Sequence, residues 1–135
     1  MILTFSKPEF IDKITQGSKI HTIRQDFSNR WKPGRKIDFW LGNPRHTTSH
    51  PYAFNQAVCH GTEYIAITRS SEHKVGYVVT VSQDGTTWKL LTPAQTRQLA
   101  HNDGLTTEEF YCWFLTDSEN FFGKIIHWTQ HRYSN

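Results

Sequence analysis

Residues 17–24 read Gly-Ser-Lys-Ile-His-Thr-Ile-Arg, and they place two cations and a hydroxyl on a predicted strand that follows a short helix. Side chains alternate between the two faces of a strand, so Thr22 and Arg24 share one face, opposite Ile23. Lys19 lies at the start of the strand, just after the glycine that ends the helix. The arrangement suits a site for a polar, electron-rich ligand such as a nucleotide. A half-buried strand with a solvated polar face would show the same pattern.

Length and composition predict a single domain over residues 1–135, since the chain is long enough for one core and too short for two ordinary domains. No secretion signal is recognisable, and no apolar run approaches the roughly 18 residues of a membrane span. We therefore expect a cytoplasmic protein with no membrane partner. Cys59 and Cys112 are far apart and are expected to be reduced. Without a Cys-x-x-Cys pair, we expect no metal or other cofactor.

The basic residues are concentrated in the first part of the chain. Residues 1–50 carry nine Lys/Arg against four Asp/Glu, whereas residues 51–135 carry six against eight, which gives the net charge of +3. Cations attract phosphates and aromatic faces stack on bases, so their mixture favours a surface for nucleotides or single-stranded nucleic acid. A basic surface that only keeps the protein soluble would look the same. The candidate binding residues are Arg24, Arg30, Trp31, Lys32, Arg35, Lys36 and Trp40.

Three helices are predicted, over residues 6–16, 93–101 and 107–115. Each begins with a capping-box pattern, at Ser6, Thr92 and Thr106 respectively. Gly17 is expected to end the first helix in a left-handed conformation. The apolar face expected for the last helix consists of Phe110, Trp113 and Phe114.

Strands are predicted at residues 2–5, 20–24, 35–41, 57–68 with a break near Gly61, 74–81, 86–90 and 123–132. A turn at Asp84-Gly85 joins two of them as a hairpin. Residues 41–56, rich in Pro, Ser, Thr and His, are predicted to form a long loop. Antiparallel hairpins dominate and no βαβ alternation is evident. The pattern predicts an α+β fold in which a small mixed β-barrel has about three helices packed on it.

Three segments, in this order, frame nearly the whole chain. They are Gly-x-Lys-x-x-Thr-x-Arg at residues 17–24, Trp-Lys-Pro-Gly-Arg-Lys-Ile at 31–37, and Asn-Asp-Gly-Leu at 102–105 before Glu109-Phe110, Trp113-Phe114 and a closing strand around Ile125-Ile126-His127-Trp128. Together they resemble the ASCH domain family of the PUA-like superfamily of small β-barrels. The resemblance implies an RNA- or nucleotide-binding domain with a basic cleft, whose partner is RNA, single-stranded nucleic acid or a modified nucleoside.

The resemblance also implies an alternative, enzymatic function. Some small bacterial members of the family are amidohydrolases that deacetylate N4-acetylcytidine with a lysine, a threonine and an acidic residue. Lys19 and Thr22 match the first two, and Asp103 falls near the position where those hydrolases have a glutamate. Other members are described as ribonucleases. A third possibility is a protein-interaction domain, in which exposed Trp31 and Trp40 would dock a partner.

If the site exists, we expect Lys19, Thr22, Arg24 and Asp103 to line one concavity that the 41–56 loop partly covers. A histidine-based site is less favoured. On a strand, His127 and His131 would be about 13 Å apart, too far for one metal ion. A ribonuclease would favour His21, but this residue alternates to the opposite face from Thr22, as a core or surface histidine would.

Overall fold

The computed structural model describes residues 1–46, 50–69, 76–116 and 118–135, which contain eight strands and three helices. The strands are β1 (Ile2–Phe5), β2 (His21–Arg24), β3 (Lys36–Leu41), β4 (Tyr52–Val58), β5 (Gly61–Arg69), β6 (Tyr77–Ser82), β7 (Lys89–Leu90) and β8 (Asn120–His127). The helices are α1 (Glu9–Thr15), α2 (Pro93–Asn102) and α3 (Thr107–Phe114).

The strands form two separate sheets. One has the order β1-β3-β4, with β1 parallel to β3, and the other has the order β2-β8-β5-β6-β7 with every pair antiparallel. The α+β class is confirmed. The predicted barrel is not, because the strands divide between two sheets. Within the described residues, neither sheet closes on itself.

The predicted loop at 41–56 is wrong over its second half, where β4 pairs with β3. This strand lies at the edge of its sheet and most of its side chains are exposed, so it lacks the apolar alternation that marks a strand. The break near Gly61 is confirmed, since β4 and β5 flank it. Residues 47–49 of the loop, and residues 74 and 75 of the next predicted strand, lie outside the described residues.

The helix signals were largely correct. Thr92 and Thr106 both form complete capping boxes, and Gly17 has a φ of +85°. Ser6 does not cap α1, because the first turn closes through the carbonyl oxygens of Lys7 and Pro8.

Two apolar assignments near the C-terminus need correction. In α3, Tyr111 is buried in place of Trp113, which is half-exposed. Tyr111 stacks on Tyr77 of β6, with ring centroids 3.9 Å apart. The closing strand ends at His127 rather than at residue 132, and Tyr133 in the residues that follow is buried in the core.

One apolar core joins the two sheets and the helices. Phe39 of β3 contacts Phe5 of β1 and Trp128, with ring centroids 6.0 and 4.9 Å away. The fully buried members are Ile37, Ile65, Ile67, Val81, Leu99, Ala100, Phe110, Ile125 and Ile126. Cys59 and Cys112 are free thiols, as predicted. Among the described helices, none has both the length and the apolar character needed to cross a membrane.

Candidate functional site

A cavity of about 280 Å³ lies where the edge strand of each sheet meets the helices. Its walls come from the end of β1, α1, β2, the turn between α2 and α3, and α3 itself. The lining residues are Thr4, Phe5, Ser6, Phe10, Lys19, Thr22, Ile23, Arg24, Asp103, Leu105, Trp113 and Phe114. The structure therefore brings all four predicted cavity residues together. The volume is at the small end of ligand pockets, which suits a single base better than a large ligand.

Lys19 is buried, with 2% of its surface exposed. Its Nζ donates to the backbone oxygen of Asp103 at 2.6 Å and to the Oδ1 of the same residue at 3.2 Å. It also lies 4.7 Å from the ring centroid of Phe10 and 5.7 Å from that of Phe5. Burial lowers the pKa of Lys19, and the carboxylate of Asp103 opposes this shift. An ammonium has three donors, so one remains for a ligand.

The turn after α2 presents Asp103 to this lysine. Asp103 ends the helix, and Gly104 follows with a φ of +85°. A Cβ on Gly104 would lie 3.0 Å from the ring of Phe10 and 3.2 Å from Cδ of Lys19. Lys13 of α1 donates to the carbonyl oxygen of Gly104 at 2.7 Å. The close contact between turn and lysine therefore depends on glycine at this position.

Arg24 supplies the second cation of the cavity. Its Nε lies 3.5 Å from Oγ1 of Thr22 and its Nη2 donates to the carbonyl oxygen of Thr4, while its guanidinium lies 5.2 Å from the centroid of the Phe5 ring. Burial lowers the pKa of Arg24. Of its five N–H groups, these two have partners within the part of the chain that the structure describes, so the others can serve a ligand.

His21 is a core histidine that supports the cavity from behind. Its Nδ1 lies 3.3 Å from Oδ1 of Asp103 and its Nε2 lies 2.6 Å from Oη of Tyr133. An ionised carboxylate can only accept, so Nδ1 carries a proton, and in a neutral ring Nε2 then accepts from the Tyr133 hydroxyl. The oxygen of that hydroxyl accepts from Asn102 at 2.9 Å. We infer a neutral ring protonated at Nδ1, which donates to Asp103. Burial lowers the pKa of His21, in agreement with a neutral ring.

A second buried group holds Tyr133 and the C-terminal residues. The carboxylate of Glu63 accepts hydrogen bonds from His127 at 2.8 Å and from the backbone N–H groups of Tyr133 and Ser134. Burial alone would raise the pKa of Glu63, but these hydrogen bonds outweigh it and lower the pKa to about 2. Burial lowers the pKa of His127 to about 4. The ring of His127 lies 5.4 Å from that of His21.

Sequence reasoning missed Glu63 and Tyr133, and it considered His127 only as a possible metal ligand. A signal did exist for Glu63. It lies two and four positions before Ile65 and Ile67 on the same strand, so it shares their buried face. A carboxylate on an apolar face indicates a buried hydrogen-bonded group. No comparable local signal indicated Tyr133, because the side chains that bond its hydroxyl are 31 and 112 positions away in sequence.

The predicted nucleic-acid residues other than Arg24 lie outside the cavity. Four of them, Arg30, Lys32, Arg35 and Lys36, are exposed, and within the described ranges none is in an ion pair.

The two predicted tryptophans differ from these cations. Trp31 is 7% exposed and belongs to the core, so it cannot stack on a base or dock a protein partner. The backbone N–H of Trp31 donates to Asp26 at 3.0 Å, which fixes the loop with this ring inward. Trp40 is partly buried on β3.

The predicted cover over the cavity is not observed, since no described residue of the 41–56 segment lines it. His127 bonds Glu63, and the ring of His131 packs on that of Tyr133 with centroids 4.7 Å apart. In residues 1–46, 50–69, 76–116 and 118–135, no three His, Cys, Asp or Glu side chains cluster closely enough for a metal ion.

A larger apolar groove of about 620 Å³ lies between β6, β7, α2 and α3. Tyr77, Leu91 and Tyr111 contribute to its walls, and its charged residues, Arg97 and Glu108, are exposed. None of its described lining residues is a buried charged group. The smaller cavity, with a buried lysine and carboxylate, is therefore the better candidate for chemistry.

Comparison with known proteins assigns no family to this chain. No family model matches it, and no curated protein or solved structure matches it.

Proposed function

We propose that the cavity binds the base of a cytidine-like nucleoside or nucleotide. The observation that carries this proposal is the burial of Lys19 beside Arg24 and Asp103 in a small cavity with aromatic walls. The two cations can donate to a ring carbonyl oxygen, and the carboxylate can accept from an exocyclic amino group. Cytosine presents both an acceptor oxygen and an amino donor. The rings of Phe5, Phe10 and Trp113 line the cavity, which favours a ligand with a flat, partly apolar surface.

The resemblance to ASCH domains supports the same proposal. The family pattern Gly-x-Lys-x-x-Thr-x-Arg provides Lys19, Thr22 and Arg24, which are three of the cavity's four polar residues named above. The resemblance extends the proposal from a free nucleotide to RNA.

Exposed cations outside the cavity would attract the phosphates of an RNA that extends beyond it. Arg30, Lys32, Arg35 and Lys36 have no ion-pair partner among the described residues, so their charge is available. The affinity for single-stranded RNA should fall as salt rises, because bound cations release counterions. Replacing Arg35 and Lys36 by alanine should reduce the slope of log K against log salt by about 1.4. Filter binding at several salt concentrations measures this slope, and an unchanged slope would contradict the role of these residues.

A second candidate function is hydrolysis of N4-acylated cytidine, which the buried lysine favours. With a lowered pKa, an unprotonated Lys19 amine can take a proton from a water held by the Thr22 hydroxyl. The resulting hydroxide adds to the acyl carbon, and Arg24 donates hydrogen bonds to the oxyanion. The C–N bond then breaks as the Lys19 ammonium returns its proton to N4, with Asp103 stabilising that ammonium. The products are a carboxylic acid and cytidine.

Binding and turnover can be tested separately. Calorimetric titration with cytidine should show saturable binding that weakens in Arg24→Ala. Incubation with N4-acetylcytidine, followed by chromatography, tests hydrolysis. Lys19→Met should abolish turnover, and Thr22→Val should do nearly the same while keeping the shape of the side chain. Asp103→Asn should lower kcat, because it removes the carboxylate that stabilises the Lys19 ammonium.

Lys36→Met is the matched control, because it removes an exposed lysine that lies outside the cavity. It should leave cytidine binding and turnover unchanged. Turnover that survives Lys19→Met would refute the hydrolytic mechanism. Failure of the wild-type protein to bind cytidine would refute the proposal that the cavity binds a cytosine base.

A further inference from the structure

Four aromatic rings, which we call the aromatic shelf, lie together on the five-stranded sheet. They belong to Phe27, Tyr64, Trp88 and Phe122, and Phe27 and Phe122 are 82% and 50% exposed. The rings of Tyr64 and Phe122 are stacked with centroids 6.1 Å apart, and Trp88 lies 6.0 Å from Phe122. Phe27 borders the same shallow hollow of about 360 Å³ as Tyr64 and Phe122. Exposed rings gathered in this way mark an interaction site.

The strand register connects the shelf to the cavity. Arg24 of β2 pairs with Lys124 of β8, which pairs in turn with Tyr64 of β5. Paired residues in antiparallel strands point to the same face, and neighbouring strands are about 4.8 Å apart. Arg24, which lines the cavity, is therefore about 10 Å from Tyr64 on the shelf, with Lys124 between them.

The charge between cavity and shelf is positive. Lys124 donates to Asp26 at 3.1 Å and to Asn29, and its Nζ lies 5.5 Å from the centroid of the Tyr64 ring. The carboxylate of Asp26 also accepts from the backbone N–H of Arg30 at 2.8 Å, so this anion is compensated. Arg24 and Lys124 are neighbours on paired strands, only Lys124 among the described residues is ion-paired with Asp26, and the exposed Arg30 lies in the same loop as this carboxylate. Cations therefore outnumber the anion here, which favours a phosphate.

We propose that the aromatic shelf stacks the base adjacent to the one in the cavity, with the linking phosphate crossing the Arg24–Lys124 pair. The inference rests on the proposed function and makes it more specific, because it assigns a second base site next to the cavity for a single-stranded ligand. Stacking on aromatic rings beside a basic track is how proteins hold single strands with little sequence preference.

The test compares cytidine 5′-monophosphate with the trinucleotide UpCpU in calorimetric titrations of the full chain. The trinucleotide should bind at least about tenfold more tightly. Phe27→Ala and Phe122→Ala should each remove about tenfold of its affinity and leave the monophosphate unaffected. Tyr52→Ala is the matched control, because it removes a half-exposed ring from β4 of the other sheet. It should change neither affinity.

The outcomes separate the two proposals. If the monophosphate binds and UpCpU binds equally, or if Tyr52→Ala weakens UpCpU as much as Phe27→Ala does, the shelf proposal is wrong and the cavity proposal stands. If UpCpU binds through Phe27 but the monophosphate does not bind, the cavity proposal is wrong. The shelf proposal is then also wrong, because it requires a base in the cavity. If neither ligand binds, both proposals are wrong, as would be observed for a shelf that docks a protein.

Discussion

Lys19 and Asp103 are buried together, and the charge of each stabilises the charge of the other. An isolated ammonium in the interior would lose its proton or destabilise the fold, because burial removes its hydration. The carboxylate compensates for this loss, and the rings of Phe5 and Phe10 add favourable contact with the ammonium. The pair is held by the turn after α2, so the geometry of this turn should govern both stability and ligand binding.

Gly104→Ala should lower the free energy of unfolding by about 2–3 kcal/mol, since the new Cβ would meet both strain and crowding. The φ of +85° disfavours alanine, and the Cβ would lie 3.0 Å from Phe10. Gly34→Ala is a control for the conformational part alone, because Gly34 has a φ of +90° and no atom within 4 Å of an added Cβ. Urea unfolding measures both variants. Equal losses in the two would show that crowding at the turn is unimportant.

The hydrogen bonds of His21 predict its tautomer. The ring should be neutral and protonated at Nδ1 at pH 7, which ¹⁵N NMR of the histidine side chains reports directly. Tyr133→Phe removes the donor to Nε2 and the acceptor of Asn102, and should cost about 1–3 kcal/mol of stability. Tyr52→Phe, at an exposed site, should change stability by less than about 0.5 kcal/mol. A ring protonated at Nε2 in the wild-type protein would contradict the inferred network.

At the scale of the helices and strands, the sequence predicted features that depend on nearby residues, but not those that depend on tertiary contacts. The capping boxes of α2 and α3 were predictable because Thr92 and Thr106 bond residues three positions away. β4 was not, because its side chains are mostly exposed and only its pairing with β3 identifies it. The alternation of Thr22 and Arg24 in β2 correctly placed both on the cavity, whereas the burial of Trp31 depends on a loop that Asp26 folds inward.

The contact between β5, β8 and the C-terminal residues predicts sensitivity to acid. His127 is neutral in the folded protein, since its pKa falls from 6.5 to about 4. The neutral ring contributes about 3 kcal/mol to the free energy of unfolding. This contribution is complete above pH 6.5 and is lost as the pH falls to 4, because the unfolded chain binds the proton at a higher pH than the folded protein does. Burial also lowers the pKa of His21, which acts in the same direction. Glu63, with its pKa lowered from 4.5 to about 2, contributes above pH 4.5 and loses this contribution as the pH falls towards 2.

Urea unfolding at pH 7, 5.5 and 4 measures the effect. His127→Gln should flatten the decrease in stability between pH 7 and 4, since one titrating group is removed. His101→Gln, which replaces an exposed histidine, should leave the slope unchanged. A wild-type stability that stays constant from pH 7 to 4 would contradict the burial of a neutral His127.

At the scale of the whole molecule, the α+β class followed from the order of elements, but the division into two sheets did not. That division depends on the parallel pairing of β1 with β3, which joins residues more than 30 positions apart and leaves no local signature. It also makes β1 and β2 edge strands of different sheets, and the cavity lies between their side chains. Sequence patterns and the resemblance together predicted one site for Lys19, Thr22, Arg24 and Asp103. They did not predict the aromatic side chains that enclose this site.

An NMR titration of the ¹⁵N-labelled protein with cytidine tests directly whether the cavity at Lys19 and Arg24 binds a nucleoside. Trp113 and Gly104 report on the cavity, one at its wall and one at the turn that presents Asp103. We predict saturable shifts of the Trp113 indole N–H and the Gly104 backbone N–H. The indole of Trp88, on the aromatic shelf, should stay unchanged with the free nucleoside. Shifts confined to Tyr77 and Leu91 in the larger apolar groove, or no saturable shift at all, would contradict a nucleoside site at Lys19 and Arg24.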